Sequence, residues 1–195
     1  MHTNNVKNVE RAEKFRSLLT KEDVEPLDLL EKEIMELPDF TDHEKIKSAQ
    51  LTFRRNYYAM MFCMYMGLLS ILAIPSMLNV LVHTKKSSSV VAAYKRYMRT
   101  IYHTLVWFRN DIKPGTDAWK SLENVRKVHF SASKSAKIAD VGMITQKDMA
   151  ITQYGFMGFV VLSRVEAGVQ CEQKKIEDFC HFWRVLGSLL GLKNE

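Results

Sequence analysis

Residues 57–82, YYAMMFCMYMGLLSILAIPSMLNVLV, run for 26 positions without a charged side chain, and this stretch constrains the fold more than any other part of the chain. Its length suffices to cross a bilayer as a helix. A helix buried in a protein core is also apolar all round. The interior of the stretch favours that second reading. Pro75 lacks the N–H that a continuing helix needs, Gly67 adds flexibility, and Ser70, Ser76 and Asn79 bring polar groups. Two consecutive core helices are therefore expected, with a membrane span as the alternative. Flanking charge does not orient a span, because Arg54 and Arg55 precede the stretch while Lys85 and Lys86 follow it.

The rest of the chain is helix-forming as well. Eight Gly and four Pro among 195 residues are too few for a turn-rich sandwich or barrel, and 47% hydrophobic residues can bury one substantial core. An all-α fold follows. Residues 1–38 alternate charge and apolarity around Pro26 and Pro38 and read as an N-terminal charged helical extension of two short amphipathic helices. The main domain is expected over residues 39–195. Its first helix is marked by Ile46, Ala49, Phe53 and Tyr57 on one face, with Thr41 or Asp42 as the cap. Further helices are expected over residues 90–108 and 119–136, separated by the turn DIKPGTDAW. Thr145 and Asp148 resemble a capping box that opens the next one. A last helix, over residues 176–190, ends near Gly191, a residue type that commonly terminates helices.

Charge is divided along the chain. Residues 1–53 carry eight Lys and Arg against twelve Asp and Glu, whereas the remainder carries twenty against ten. A basic segment of this kind attracts nucleic acid, anionic lipid or the carboxylates of a cofactor by the same long-range field. The cations stand singly or in pairs without zinc-finger spacing or an RNA-binding signature, which argues against nucleic acid. Cys63, Cys171 and Cys180 make neither an even framework nor a CxxC, so a reducing, intracellular compartment is expected. No CxxCH is present for covalent heme attachment, and the polar start MHTNNVKNVERAEKF does not read as a secretory signal.

Two groups of residues could carry chemistry. Arg96, Arg99, Thr100 and His103 fall at i, i+3, i+4 and i+7 and share one side of a helix. That side is either a solvated basic face or a site where arginines pair with an anion and Thr100 lends a hydroxyl. Arg126 and His129, in VRKVHFSAS, are likewise one turn apart, beside the small residues Ser131, Ala132 and Ser133. His129 is one of six histidines, and spacing alone does not single it out. Gln146, Met149, Gln153 and Phe156 form a face that helix packing accounts for. No HExxH, GxGxxG, P-loop or GxSxG occurs, which removes the usual zinc-hydrolase, nucleotide and serine-hydrolase readings.

In order along the chain stand RYMRT at 96–100, VRKVH at 125–129, ITQKDMAITQYGF at 144–156 and FWRVLGSLLGL at 182–192. This series resembles the catalytic domain of the rubber oxygenase and ER-bound oxygenase family, which includes the latex-clearing proteins, and is most similar to its insect members. The resemblance implies a globin-like multi-helix bundle around a pocket for noncovalent heme b, with His129 of the RxxH element as iron ligand. It further implies roles for Arg96, Arg99, Thr100 and Arg126 around that cofactor, with Arg96 and Thr100 at the catalytic centre. The implied activity is dioxygen-dependent cleavage of a C=C bond in an isoprenoid or lipid-like chain. The implied location is the endoplasmic-reticulum membrane, with the cytoplasm as alternative.

Three departures from the pattern bear on activity. Latex-clearing proteins place a lysine that can cap the iron between the Arg and Thr of the RxxxT element; here position 99 is Arg, whose guanidinium stays protonated and does not ligate. They also use a glutamate upstream of that element as a base, yet no Asp or Glu occurs between Glu44 and Asp111. The resemblance stops shortly after FWRVLGSLLGL, where family members continue into further C-terminal helices, so a shortened domain is expected. A catalytically inactive, membrane-associated interaction protein is the alternative function.

Overall fold

The structure, a computed structural model, describes residues 35–193. Nearly all of the expected extension over residues 1–38 lies outside them. The described residues form seven helices and no strand: α1 His43–Arg55, α2 Tyr57–Ile71, α3 Pro75–His83, α4 Val90–Arg109, α5 Asp117–Ile138, α6 Gln146–Leu162 and α7 Gln173–Leu189. The all-α expectation holds.

Local chemistry fixes most of the helix ends. Asp42 caps α1 by accepting from the backbone N–H groups of Glu44 and Lys45. Thr145 and Asp148 form the expected capping box on α6, each side chain accepting from the other's backbone N–H. Asp148 also accepts a 2.7 Å hydrogen bond from Ser76 Oγ, which ties the start of α3 to the start of α6. At the end of α7, Gly191 adopts φ 94°, and Leu192 N–H returns to the Gly187 carbonyl at 2.9 Å. The first helix is shorter than its apolar spacing suggested. It stops at Arg55, so Tyr57 opens α2 instead.

The uncharged stretch is broken at Pro75, as its sequence suggests. Ile74, which precedes the proline, is extended at φ −99° and ψ 114°, the region to which the pyrrolidine ring confines its predecessor. The chain turns by 88° between α2 and α3, and no single helix among the described residues is long and apolar enough to cross a membrane.

The two longest contacts are α2 against α6 and α1 against α7. Gly67 and Gly155 allow the backbones of α2 and α6 to approach so closely that a Cβ on Gly67 would lie 1.6 Å from the Gly155 carbonyl oxygen. Between α1 and α7, Ser48 donates to the buried Asp178 carboxylate while Lys175 Nζ donates to Ser48 Oγ at 2.9 Å. Asp42 N–H donates to His181 Nε2 at 3.0 Å across the same seam. The core between these pairs is aromatic. Phe108 of α4 stacks on Phe53 of α1 with centroids 3.9 Å apart and on Phe182 of α7 at 4.4 Å, and Phe156 of α6 stacks on Trp183 at 4.8 Å.

Only half of α2 is buried in this arrangement. Met60, Cys63, Met64 and Gly67 face inward, whereas Tyr58, Phe62, Tyr65, Met66 and Leu69 lie on the opposite arc and are exposed. On α4, Val90, Val91, Tyr94, Met98 and Tyr102 form a second exposed apolar stripe. Tyr65 meets Tyr97 of α4 edge-on at 5.8 Å, which brings the two helices side by side.

Candidate functional site

Ser121 fixes how α4 and α5 lie together. Its hydroxyl accepts from Trp107 Nε1 at 2.9 Å and pairs with His103 Nδ1 at 2.7 Å. The short connection between the two helices makes them antiparallel neighbours. Counting seven residues back from His103 and eight on from Ser121 places Arg96 and His129 at similar heights, each roughly 10 to 12 Å from that pin.

Among the described histidines, His129 stands apart. Its Nδ1 is buried without a hydrogen-bond partner. Burial, and secondarily the positive charge of Lys86, depress its pKa to about 4, so the ring is neutral at physiological pH. A neutral imidazole with an unpartnered nitrogen can form one coordination bond, or accept or donate one proton, without first breaking a contact at that atom. By contrast, His103 is paired with Ser121, His83 Nε2 lies 2.9 Å from Ser135 Oγ, and His181 accepts from the Asp42 backbone. Burial followed by the charge of Arg99 also lowers the pKa of His103.

The other sequence-predicted residues take separate positions. Arg96 is half-buried on α4; its Nε donates to Ser87 Oγ at 2.9 Å, and its guanidinium lies 4.1 Å from the centroid of the Tyr97 ring. Thr100 is directed to its own helix, donating to the Arg96 carbonyl at 3.3 Å. Arg99 is exposed. Arg126 Nη1 donates to the Leu189 carbonyl at 3.2 Å, one of the acceptors left open at the end of α7. Of the face formed by residues 96, 99, 100 and 103, only part therefore points toward α5. The face of Gln146 and Gln153 packs on α7: Gln146 Nε2 donates to the Gly191 carbonyl at 3.0 Å, and Gln153 lies against Gly187.

Residues that spacing did not indicate also belong here. A half-open cavity of about 530 Å³ lies between α3 and α4, with Leu78, Leu81 and Val82 on one wall and Ser87, Arg96 and Tyr97 on another. His129 does not line it. Tyr97 Oη is buried without a partner, and nothing in the sequence around it distinguishes that tyrosine from Tyr94 or Tyr102. The polar connection HTKKSSS reads only as a turn in sequence, yet it supplies Lys85, Ser87 and Ser88 to the cavity.

Among the described residues no group of three or more His, Cys, Asp and Glu side chains is placed to hold a metal ion by itself. No curated protein and no solved structure matches the chain. A sequence model described as the ER-bound oxygenase mpaB/B'/rubber oxygenase catalytic domain matches residues 55–195, a segment that includes α2 to α7, the cavity and His129. The match covers well over half of the chain, and the protein belongs to this oxygenase catalytic-domain family.

Proposed function

We propose that the protein is a heme-dependent oxygenase-like protein that binds heme b through His129 and acts with dioxygen on a C=C bond of an isoprenoid or other apolar chain. The observation that carries this reading is the buried, unpartnered Nδ1 of a histidine that is neutral at physiological pH, in the RxxH element of an oxygenase family. A heme iron needs only one protein donor, so the donor chemistry of His129 fits it. Bound heme would supply the activation of dioxygen.

The chain's own residues would position and insulate the cofactor. Arg99 and Arg126 offer guanidinium groups to offset propionate charge, Arg96 lines the cavity, and Thr100 can turn its weakly held hydroxyl, now 3.3 Å from the Arg96 carbonyl, toward a ligand. Arg126 would have to share itself with the Leu189 carbonyl, to which it already donates at 3.2 Å. Titration of the purified chain with hemin is expected to give a saturable Soret band that His129→Ala removes while its circular dichroism stays helical. An unchanged Soret titration in the folded variant would sink the assignment of the ligand.

A second reading concerns location, and the exposed stripes on α2 and α4 favour it. Phe62 is 63% exposed and Tyr94 64% exposed, and both lie in rows of apolar side chains. Lys95 and Arg99 flank the α4 row, an arrangement suited to an anionic bilayer surface. We propose that the protein works inside the cell at the endoplasmic-reticulum membrane, the location that the family resemblance implies, and the exposed stripes support a membrane surface as its setting. It is expected to float with vesicles containing phosphatidylserine, and Phe62→Ser with Tyr94→Ser should reduce the floated fraction several-fold. A wild-type chain that stays at the bottom of the gradient would leave the cytoplasm as its location.

A further inference from the structure

The cavity between α3 and α4 has a chemically mixed lining. Leu72, Leu78, Leu81 and Val82 contribute apolar surface, and Lys85, Ser87, Ser88 and Arg96 add polar and cationic groups. Its volume, about 530 Å³, is within the range of pockets that enclose a small organic molecule. The polar part of this lining is cationic without compensation. From Lys45 to Asn110 the chain holds no Asp or Glu, and neither Lys85 nor Arg96 forms an ion pair among the described residues. Only Nε of the Arg96 guanidinium has a hydrogen-bond partner there, which leaves its two terminal nitrogens available. Tyr97 lines the same cavity, and its Oη is buried without a partner, a costly state for a hydroxyl.

The backbone at the rim is also unusual. Lys85 adopts φ 55°, the left-handed conformation that the position after a helix C-cap usually gives to glycine. A lysine is held there despite that cost, and it lines the cavity.

We infer that this cavity binds a single-chain amphipathic anion, such as a long-chain fatty acid, with its headgroup on Lys85 and Arg96 and its chain along Leu78, Leu81 and Val82. The headgroup would accept from the free guanidinium nitrogens and the ammonium. A neutral apolar chain would leave all of these donors unpaired, so the site discriminates by charge. The inference deepens the oxygenase reading, because it gives the apolar chain proposed as substrate an anionic headgroup, and it rests on that reading only for what becomes of the bound molecule.

The test uses the full chain without heme or vesicles, so it can fail independently of the hemin titration. A fluorescent C18 fatty acid is titrated in, then displaced by hexadecanoate, hexadecyl phosphate or hexadecanol. Hexadecanoate or the phosphate ester is expected to displace the probe at concentrations at least tenfold lower than the alcohol does, and which anion is tighter identifies the headgroup. Lys85→Gly removes the ammonium and relaxes the backbone, so its melting temperature should be unchanged or higher while its affinity for the acid falls about tenfold. Ala93→Leu, which fills the cavity, should weaken acid and alcohol alike. Equal displacement by acid and alcohol, full acid affinity in Lys85→Gly, or full affinity in Ala93→Leu would each overturn the proposal.

Discussion

Replacing Gly67 with alanine is expected to lower the stability of the protein by about 3 kcal/mol or more, the upper end of what overpacking costs. The added Cβ would lie 1.6 Å from the Gly155 carbonyl oxygen and 2.6 Å from its carbon. Both obstacles are backbone of the facing helix, so no side-chain rotation relieves them. Helices α2 and α6 would have to separate along the seam that buries Met60, Cys63 and Met64. Alanine's better helix propensity, worth about 1 kcal/mol over glycine, offsets only part of this. Gly155→Ala is the informative control. Its Cβ would meet Ile71 Cδ1 at 2.7 Å, the movable end of a side chain, and the Gly67 carbonyl oxygen at 3.2 Å. That variant should therefore lose much less. Urea midpoints of the two variants and the wild type decide the matter: Gly67→Ala at the wild-type midpoint would mean that the helices do not pack this closely.

The second large effect is a dependence on pH that runs through His129. Its folded pKa is about 4 because burial disfavours the charged ring, whereas an unfolded histidine titrates near 6.5. Between those values the unfolded chain takes up a proton that the folded chain refuses. Stability is thus fully present above about pH 6.5 and is lost as the pH falls toward 4, by about 3 kcal/mol for this one group. His103 and His181, whose pKa values burial also lowers, act in the same direction. His129→Leu removes the titrating ring from its half-buried position. Its heme-free stability, compared with wild type at pH 7.5 and pH 5 in urea, should show a markedly shallower fall. Parallel slopes in the two proteins would mean that His129 is accessible to protons in the fold. The same sign governs coordination, since a protonated imidazole has no lone pair for iron.

Several elements were legible because the interactions that define them span only a few residues. Asp42, the Thr145 and Asp148 box, Pro75 and Gly191 mark helix ends through hydrogen bonds and dihedral limits within one or two turns. The ordered motifs RYMRT, VRKVH, ITQKDMAITQYGF and FWRVLGSLLGL pointed to the family that the matched segment bears out. What the sequence could not rank was the histidines. His103 shares the Arg96 face by spacing, yet it pairs with Ser121 some eighteen residues away, while His129 keeps an unpartnered nitrogen. Arg126 looked equally suited to an anion, and its hydrogen bond to the Leu189 carbonyl depends on where α7 ends relative to α5. Tyr97 and Lys85 carry no local signal at all. One acquires its significance by burial of a hydroxyl, the other by a backbone angle.

The uncharged stretch at residues 57–82 shows the same division. Its composition and its proline determined by themselves that it would be helical, apolar and broken near Pro75, since these follow from side-chain type and the missing N–H. Only the tertiary structure decided which half of each turn is buried. Gly67 meets Gly155 and draws one face of α2 against α6, which leaves Phe62 and Leu69 outside, while the 88° turn into α3 places Leu78, Leu81 and Val82 over Arg96 and Tyr97. An apolar residue is equally apolar on either face of its helix. The choice of face belongs to the contact between distant segments, where close backbone approach and packing select one arrangement.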